Sequence, residues 1–174
     1  MSSIIETICF TAPAWTANTA AALLCYFLKK NHPSIVRPLD GGLQWGGKRI
    51  FGDNKTLIGS SVMIAAGWMV GTLQGDGTAG ALMGVFVLAG SLVNSFIKRR
   101  VGIRDGGNFF PFDQIDYALS TTVLLYATGT APLFFDWPSF IAFVFLFQLS
   151  VNFLAFKLGF IDSFICKKRS FKIP

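Results

Sequence analysis

Chemistry-bearing residues concentrate in the stretch from Ser91 to Asp116, SLVNSFIKRRVGIRDGGNFFPFDQID. It carries the basic run Lys98-Arg99-Arg100, then a Gly-rich turn, then two carboxylates three apart, Asp113 and Asp116. Residues at i and i+3 share a helix face, so the two acids point the same way. Hard divalent cations are held by one or two carboxylates together with substrate phosphate oxygens. Acids facing cations therefore suit a metal-bound phosphate. Each half also has a plainer reading: acids in a first helical turn complement the helix dipole, and a basic run beside an apolar helix is a topology signal. A second candidate is Gly52-Asp53-Asn54-Lys55-Thr56. Thr56 or Asn54 is placed to cap the following helix, and the capped end offers free N–H groups to a phosphate with Lys55 alongside. A simple cap with a lysine reaching for solvent is the favoured reading of this second motif. The segment Gly42 to Lys48 fits GxxxxGK, but Arg49 follows where Ser or Thr must bind magnesium, and no buried strand precedes it. A nucleotide P-loop is excluded.

The elements that must position these residues lie in a membrane. The chain has 174 residues, of which 52% are hydrophobic and 14% charged, with 19 Phe; the mean hydropathy is +0.55. Soluble domains carry about 25% charged residues. Five stretches approach the roughly 20 apolar residues a spanning helix needs: 7–28, 57–74, 78–97, 117–135 and 139–160. The turn at Gly75-Asp76-Gly77 and the link Asp136-Trp137-Pro138 make two antiparallel hairpins. All 15 Lys and Arg fall in the loop after the first span, the loop after the third, or the tail from Lys157 onward. The expected fold is all-α integral membrane, with five transmembrane helices in a single domain over 1–174. The N-terminus is out, the C-terminus is in, and both long loops are cytoplasmic. Nucleic acid as a partner for the net charge of +6 is set aside on this placement. The first span, followed by Lys29 and Lys30 and preceded by Glu6 instead of a basic region, reads as a retained helix and not a signal peptide.

Smaller features follow. Gly67 and Gly71, with Gly80 and Gly84, are spaced for close packing of the second and third helices. Ser91, Ser95 and Lys98 share one face of the third; bonding of the serines to their own helix is an even alternative to a site role. Asn18 inside the first span is a functional suspect by location, or else an interhelical hydrogen bond. Cys9, Cys25 and Cys166 read as buried free thiols, and His32 as incidental.

Together Pro13-Ala14, Ala17-Asn18, Pro38-Leu39-Asp40-Gly41, Lys48 to Thr56 with Gly59, Ser95-Phe96-Ile97-Lys98-Arg99-Arg100 with Gly102-Ile103, and Pro111 to Asp116 carry a resemblance. The chain resembles the CDP-archaeol synthases, membrane cytidylyltransferases related to bacterial CDP-diacylglycerol synthases, over most of its length. The most specific part is S-F-x-K-R followed by D-x-x-D. The resemblance implies transfer of a cytidylyl group from CTP to a lipid phosphate, diether or diacyl, releasing pyrophosphate in phospholipid biosynthesis. It implies Lys98, Asp113 and Asp116 as catalytic residues and Mg2+ on Asp113 and Asp116. Asn54, Lys55, Thr56, Ser95 and Arg99 would serve nucleotide and phosphates. CTP, the lipid phosphate and membrane lipids are the implied partners, and the cell membrane, with the site facing the cytoplasm, is the implied location. One position departs: Ser91 stands where the family usually has a metal-binding aspartate, and a polar residue such as Lys is common at the position of Asn94. The alternative is a non-catalytic member that binds lipid, nucleotide or a membrane partner.

Overall fold

The computed structural model describes residues 2–107 and 109–159. Cys166 and the tail cations Lys167, Lys168, Arg169 and Lys172 lie outside the described residues. Six α-helices follow in order: α1 (Ser2–Phe10), α2 (Ala12–Asn31), α3 (Leu57–Leu73), α4 (Gly77–Arg100), α5 (Phe112–Ala127) and α6 (Trp137–Lys157). The loop between α2 and α3 holds a two-stranded hairpin, β1 (Gln44–Trp45) and β2 (Lys48–Arg49), paired antiparallel.

The first expected span is two helices bent by 44°. Pro13 has no N–H to give to the carbonyl of Cys9 one turn back, and that carbonyl instead accepts from Gln74 Nε2 at 2.5 Å. Thr11 Oγ1 donates to the Thr7 carbonyl at 2.8 Å across the break. The fourth element also differs from expectation. It begins at Phe112 and stops at Ala127, and Gly129 follows with φ +68°, the left-handed backbone that ends helices. The link to α6 is therefore the nine-residue stretch 128–136, not Asp136-Trp137-Pro138, because Trp137 and Pro138 already belong to the first turn of α6, where proline is tolerated. α4 and α6 are each long and apolar enough to cross a membrane, and the α1–α2 pair qualifies if taken as one broken span.

α3 and α4 pack through glycine. A Cβ on Gly67 would stand 2.5 Å from the Gly80 carbonyl oxygen, and one on Gly71 would stand 2.6 Å from the Gly80 Cα. The two backbones therefore touch, as the spacing predicts. α4 meets α5 in the same way at Gly90, where Ser120 occupies the space a side chain would need and donates to the Phe86 carbonyl at 2.9 Å. Val87, Tyr117, Ala118, Phe140 and Val144 fill the centre with Ala14 and Ala17 of α2. On α6 only Phe140 and Val144 are buried; Leu146, Phe153, Leu154 and Phe156 are exposed, an apolar face suited to lipid.

The two ends of the bundle differ in charge. At one end, Thr7 Oγ1 donates to the Phe134 carbonyl and accepts from Asp136 N–H; its charged residues are Glu6, Asp76 and Asp136. At the other lie the described Lys and Arg, with the two long loops stitched together. Cys9 and Cys25 are free, as expected, but neither is buried: Cys9 is exposed and Cys25 half-buried, its sulfur 3.3 Å from Thr56 Oγ1. Asn18 makes the bland contact, donating to Gln148 Oε1 of α6 at 3.4 Å.

Candidate active site

The site forms where the last turns of α4 meet the first turns of α5. Asn94, Ser95 and Lys98 lie on the α4 face turned to α5, and Asp113 and Asp116 answer from α5. Lys98 Nζ donates to both oxygens of Asp113, at 3.0 and 2.9 Å. Asn94 Nδ2 donates to Asp113 Oδ1 at 2.8 Å and to Asp116 Oδ2 at 2.9 Å. Asp113 Oδ2 also accepts the Phe109 N–H at 2.7 Å, closing the turn before α5, and Asp116 Oδ1 accepts the N–H of Tyr117 at 2.7 Å. The i, i+3 spacing thus turns both carboxylates toward one nitrogen.

Lys55 joins this cluster from the other loop. Burial pushes its ammonium below the ordinary lysine value, the Asp116 carboxylate pulls it back up, Lys98 adds to the push and Asp113 opposes it. Lys55 thus lies within electrostatic reach of both acids and of Lys98. Thr56 caps α3, its Oγ1 accepting from Gly59 N–H at 3.0 Å. That settles the choice between Thr56 and Asn54, whose Oδ1 instead accepts from Lys29 Nζ.

Three other residues singled out in the sequence make no hydrogen bond or ion pair with the acids among the described residues. Arg99 is buried but pairs with Asp105 at 3.2 Å and donates to the Arg104 carbonyl at 3.1 Å. It holds the second loop. Ser91 is 2% exposed and donates to the Leu88 carbonyl of its own helix at 3.0 Å. Ser95 is buried on the same face, and among the described residues its hydroxyl has no hydrogen-bond partner.

Sequence reasoning missed the part that four residues play: it named Arg100 only within the basic run facing the acids, and gave Asp40, Asp105 and Asn94 no role. Asp40 accepts five hydrogen bonds, from Gly42, Phe51 and Gly52 N–H groups and from Arg49 Nε and Nη2. Burial alone would raise its carboxyl. Arg49 and the backbone donors reverse that and hold it well below the usual carboxylate range. Arg100 donates to the carbonyls of Trp45, Lys48 and Arg49, and its guanidinium lies over the Trp45 and Phe96 rings at 5.4 and 4.9 Å. Asp105 accepts from Asp53 N–H at 2.5 Å. The fourth is Asn94. An Asp-Gly-Gly turn was a visible signal for Asp40; the rest depend on contacts between distant segments.

Asp113 and Asp116 present one oxygen each to a single point, and carboxylate oxygens are the donors a hard cation selects. Their geometry therefore fits magnesium. Among the described residues no third His, Cys, Asp or Glu joins them.

The protein family described as CDP-archaeol synthase, CarS-like, matches residues 76–165, which span α4, α5 and α6 and so contain these acids. A CDP-archaeol synthase of Thermococcus onnurineus is 33% identical over 143 residues, covering 75% of this chain and 79% of the relative. The chain belongs to the CDP-archaeol synthase family. A relative of that description from Methanospirillum hungatei is 32% identical over 163 residues, covering 79% and 96%. A third, from Thermococcus gammatolerans, is 31% identical over 176 residues, covering 91% and 95%. The fold is similar to a solved structure described as an intramembrane enzyme for archaeal membrane lipids biosynthesis, with a TM-score of 0.67 and 28% identity over 86% of this chain and 94% of that one. Family membership makes the chain an integral membrane enzyme of the CTP-dependent lipid cytidylyltransferase class.

Proposed function

We propose that this chain transfers the cytidylyl group of CTP to the phosphate of an archaeal diether glycerol lipid, at the cluster of Lys98, Asp113, Asp116 and Lys55. A lipid phosphate oxygen attacks the α-phosphorus of CTP, the bond from that phosphorus to the bridging oxygen breaks, and pyrophosphate leaves with the electron pair. The observation that carries this reading is the meeting of two lysines and two convergent carboxylates at the basic end of a membrane bundle. Lys98 and Lys55 neutralise phosphate charge as it moves onto the leaving oxygens. The N-terminus of α3, capped by Thr56, adds N–H groups beside Lys55. Asp113 and Asp116 hold magnesium, which when bound offsets charge on the phosphates and orients them. Ser95 supports a phosphate oxygen. Arg99 and Asn54 act by holding the two loops over the site, a role their partners favour over direct phosphate contact. The lipid chains lie against exposed apolar faces such as that of α6.

The same reading takes the chain as one membrane unit with five spans, α1 and α2 counting as a single broken one. The basic end faces the cytoplasm of the cell membrane, where CTP is present; the sorting of Lys and Arg to that end supports it.

The test is transfer of label from α-phosphate-labelled CTP into lipid by purified protein in detergent with Mg2+. A diether and a diacyl glycerol phosphate are supplied in separate arms. Labelled CDP-lipid from the diether arm is expected. Equal labelling in both arms would widen the substrate class to glycerol lipid phosphates at large. No labelling in either, by protein that still binds CTP, would overturn the proposal and favour a non-catalytic member, for which recovery of labelling in Ser91→Asp is the confirming result.

A further inference from the structure

We infer that Asn94 is the third ligand of the cation site, in place of the carboxylate that Ser91 does not supply. The inference rests on the reading of Asp113 and Asp116 as magnesium ligands. Ser91 is turned to its own helix by its bond to the Leu88 carbonyl. Asn94 lies one turn further along the same helix and is 8% exposed. Its amide nitrogen is the point on which both acids converge, at 2.8 and 2.9 Å. The NH2 group has two hydrogens, and each carboxylate takes one. The amide oxygen, by contrast, receives no donor among the described residues.

This arrangement is what two neighbouring carboxylates need when no cation lies between them, because a neutral donor keeps the negative oxygens apart. A half-turn about the terminal amide torsion, which is broad and roughly two-fold, exchanges nitrogen for oxygen. It then sets Oδ1 beside Asp113 Oδ1 and Asp116 Oδ2. Asparagine carbonyl oxygens are ordinary ligands of hard cations. Asn94 is thus a donor to the acids without the cation and a donor to the cation with it. A site of two carboxylates and one amide carries one negative charge fewer than a three-carboxylate site, so it repels the phosphates of a nucleotide less.

The test uses Mn2+ as a paramagnetic probe, titrated by electron paramagnetic resonance into the full chain in detergent without substrate. The wild type is expected to bind, and Asp113→Ala to lose binding. Asn94→Ala is expected to bind at least about tenfold more weakly, the loss typical for a residue supporting a metal site. If Asn94 served only as an NH2 clamp, its removal would free the carboxylates, and Asn94→Ala would bind Mn2+ as tightly as wild type or more so; that result overturns the inference. Should Asn94→Ala fail to fold, Asn94→Asp decides: tighter Mn2+ binding is expected, and unchanged binding places residue 94 outside the ligand set. Absence of Mn2+ binding by the wild type is a different failure, because it removes the cation reading itself.

Discussion

Asp40 and the pair Asp113/Asp116 are the same chemical group in two kinds of surroundings. Asp40 is wrapped by five donors, all from its own loop, and its carboxyl sits well below the usual range. Every lone pair has a covalently tethered partner, so the carboxylate can bolt a loop but has no capacity for a ligand. Asp113 and Asp116 draw on donors from two helices and share one amide between them. Lys98 and the Asn94 amide reach them as side chains that can turn to phosphate or cation. A carboxylate bonded mainly by backbone N–H groups reads as architecture, and one bonded mainly by mobile side chains reads as a place for chemistry.

The sharpest way to separate the two is to alter each and read both turnover and melting temperature. Lys98→Met should lower kcat by about 10²–10³, on the order of 3–4 kcal/mol of transition-state stabilisation. It should leave the melting temperature in detergent close to wild type; a matching fall in both would mean the cluster is structural. Asp40→Ala should do the reverse, destabilising by about 3 kcal/mol because Arg49 and three N–H groups lose a buried partner. Differential scanning fluorimetry reads it, and an unchanged melting temperature would end the contrast.

Acid tests the same bolt. Because the folded-state pKa of Asp40 is depressed, its stabilising contribution is present above the unfolded value of about 4 and is lost as pH falls below it. Melting temperature should therefore drop from roughly pH 4 downward, and the part of the drop due to this residue should vanish in Asp40→Asn. Away from both acids, Gly67→Ala should lower stability by about 1–3 kcal/mol through overpacking against Gly80. Smallest, Thr56→Ala should cost about 1 kcal/mol through loss of the α3 cap, and a larger loss of turnover than of stability would tie that helix end to phosphate.

Much of the fold was legible because it depends on short-range pattern. The positions of α3 and α4 follow from continuous apolar runs, and their contact follows from glycines four apart, since only small residues permit backbones to touch. The cap at Thr56 follows from residue type at a helix start. The break at Thr11 was not legible. Pro13 sits in an apolar run that satisfies every length criterion, and the bend is stabilised by Gln74 from a distant loop. The early end of α5 was hidden similarly, because residues 128–135 are hydrophobic enough to extend a span although Gly129 and Pro132 do not continue a helix. At the site, Asp113, Asp116 and Lys98 were visible as charges. Asn94 was not, because a polar residue inside an apolar helix looks like packing until the register of α4 on α5 is known. Arg99 shows the opposite case: it belongs to a basic run, yet Asp105 six residues on in the loop pairs with it.

The most direct measurement is the steady-state rate of CTP-dependent pyrophosphate release by Asp113→Asn, set against wild type with diether glycerol phosphate and Mg2+. The side chain keeps its shape and loses only its charge. Release is expected to fall by about 10³ in protein whose melting temperature is unmoved. A rate within a few-fold of wild type would show that the chemistry does not depend on this carboxylate and would contradict the assignment of the site.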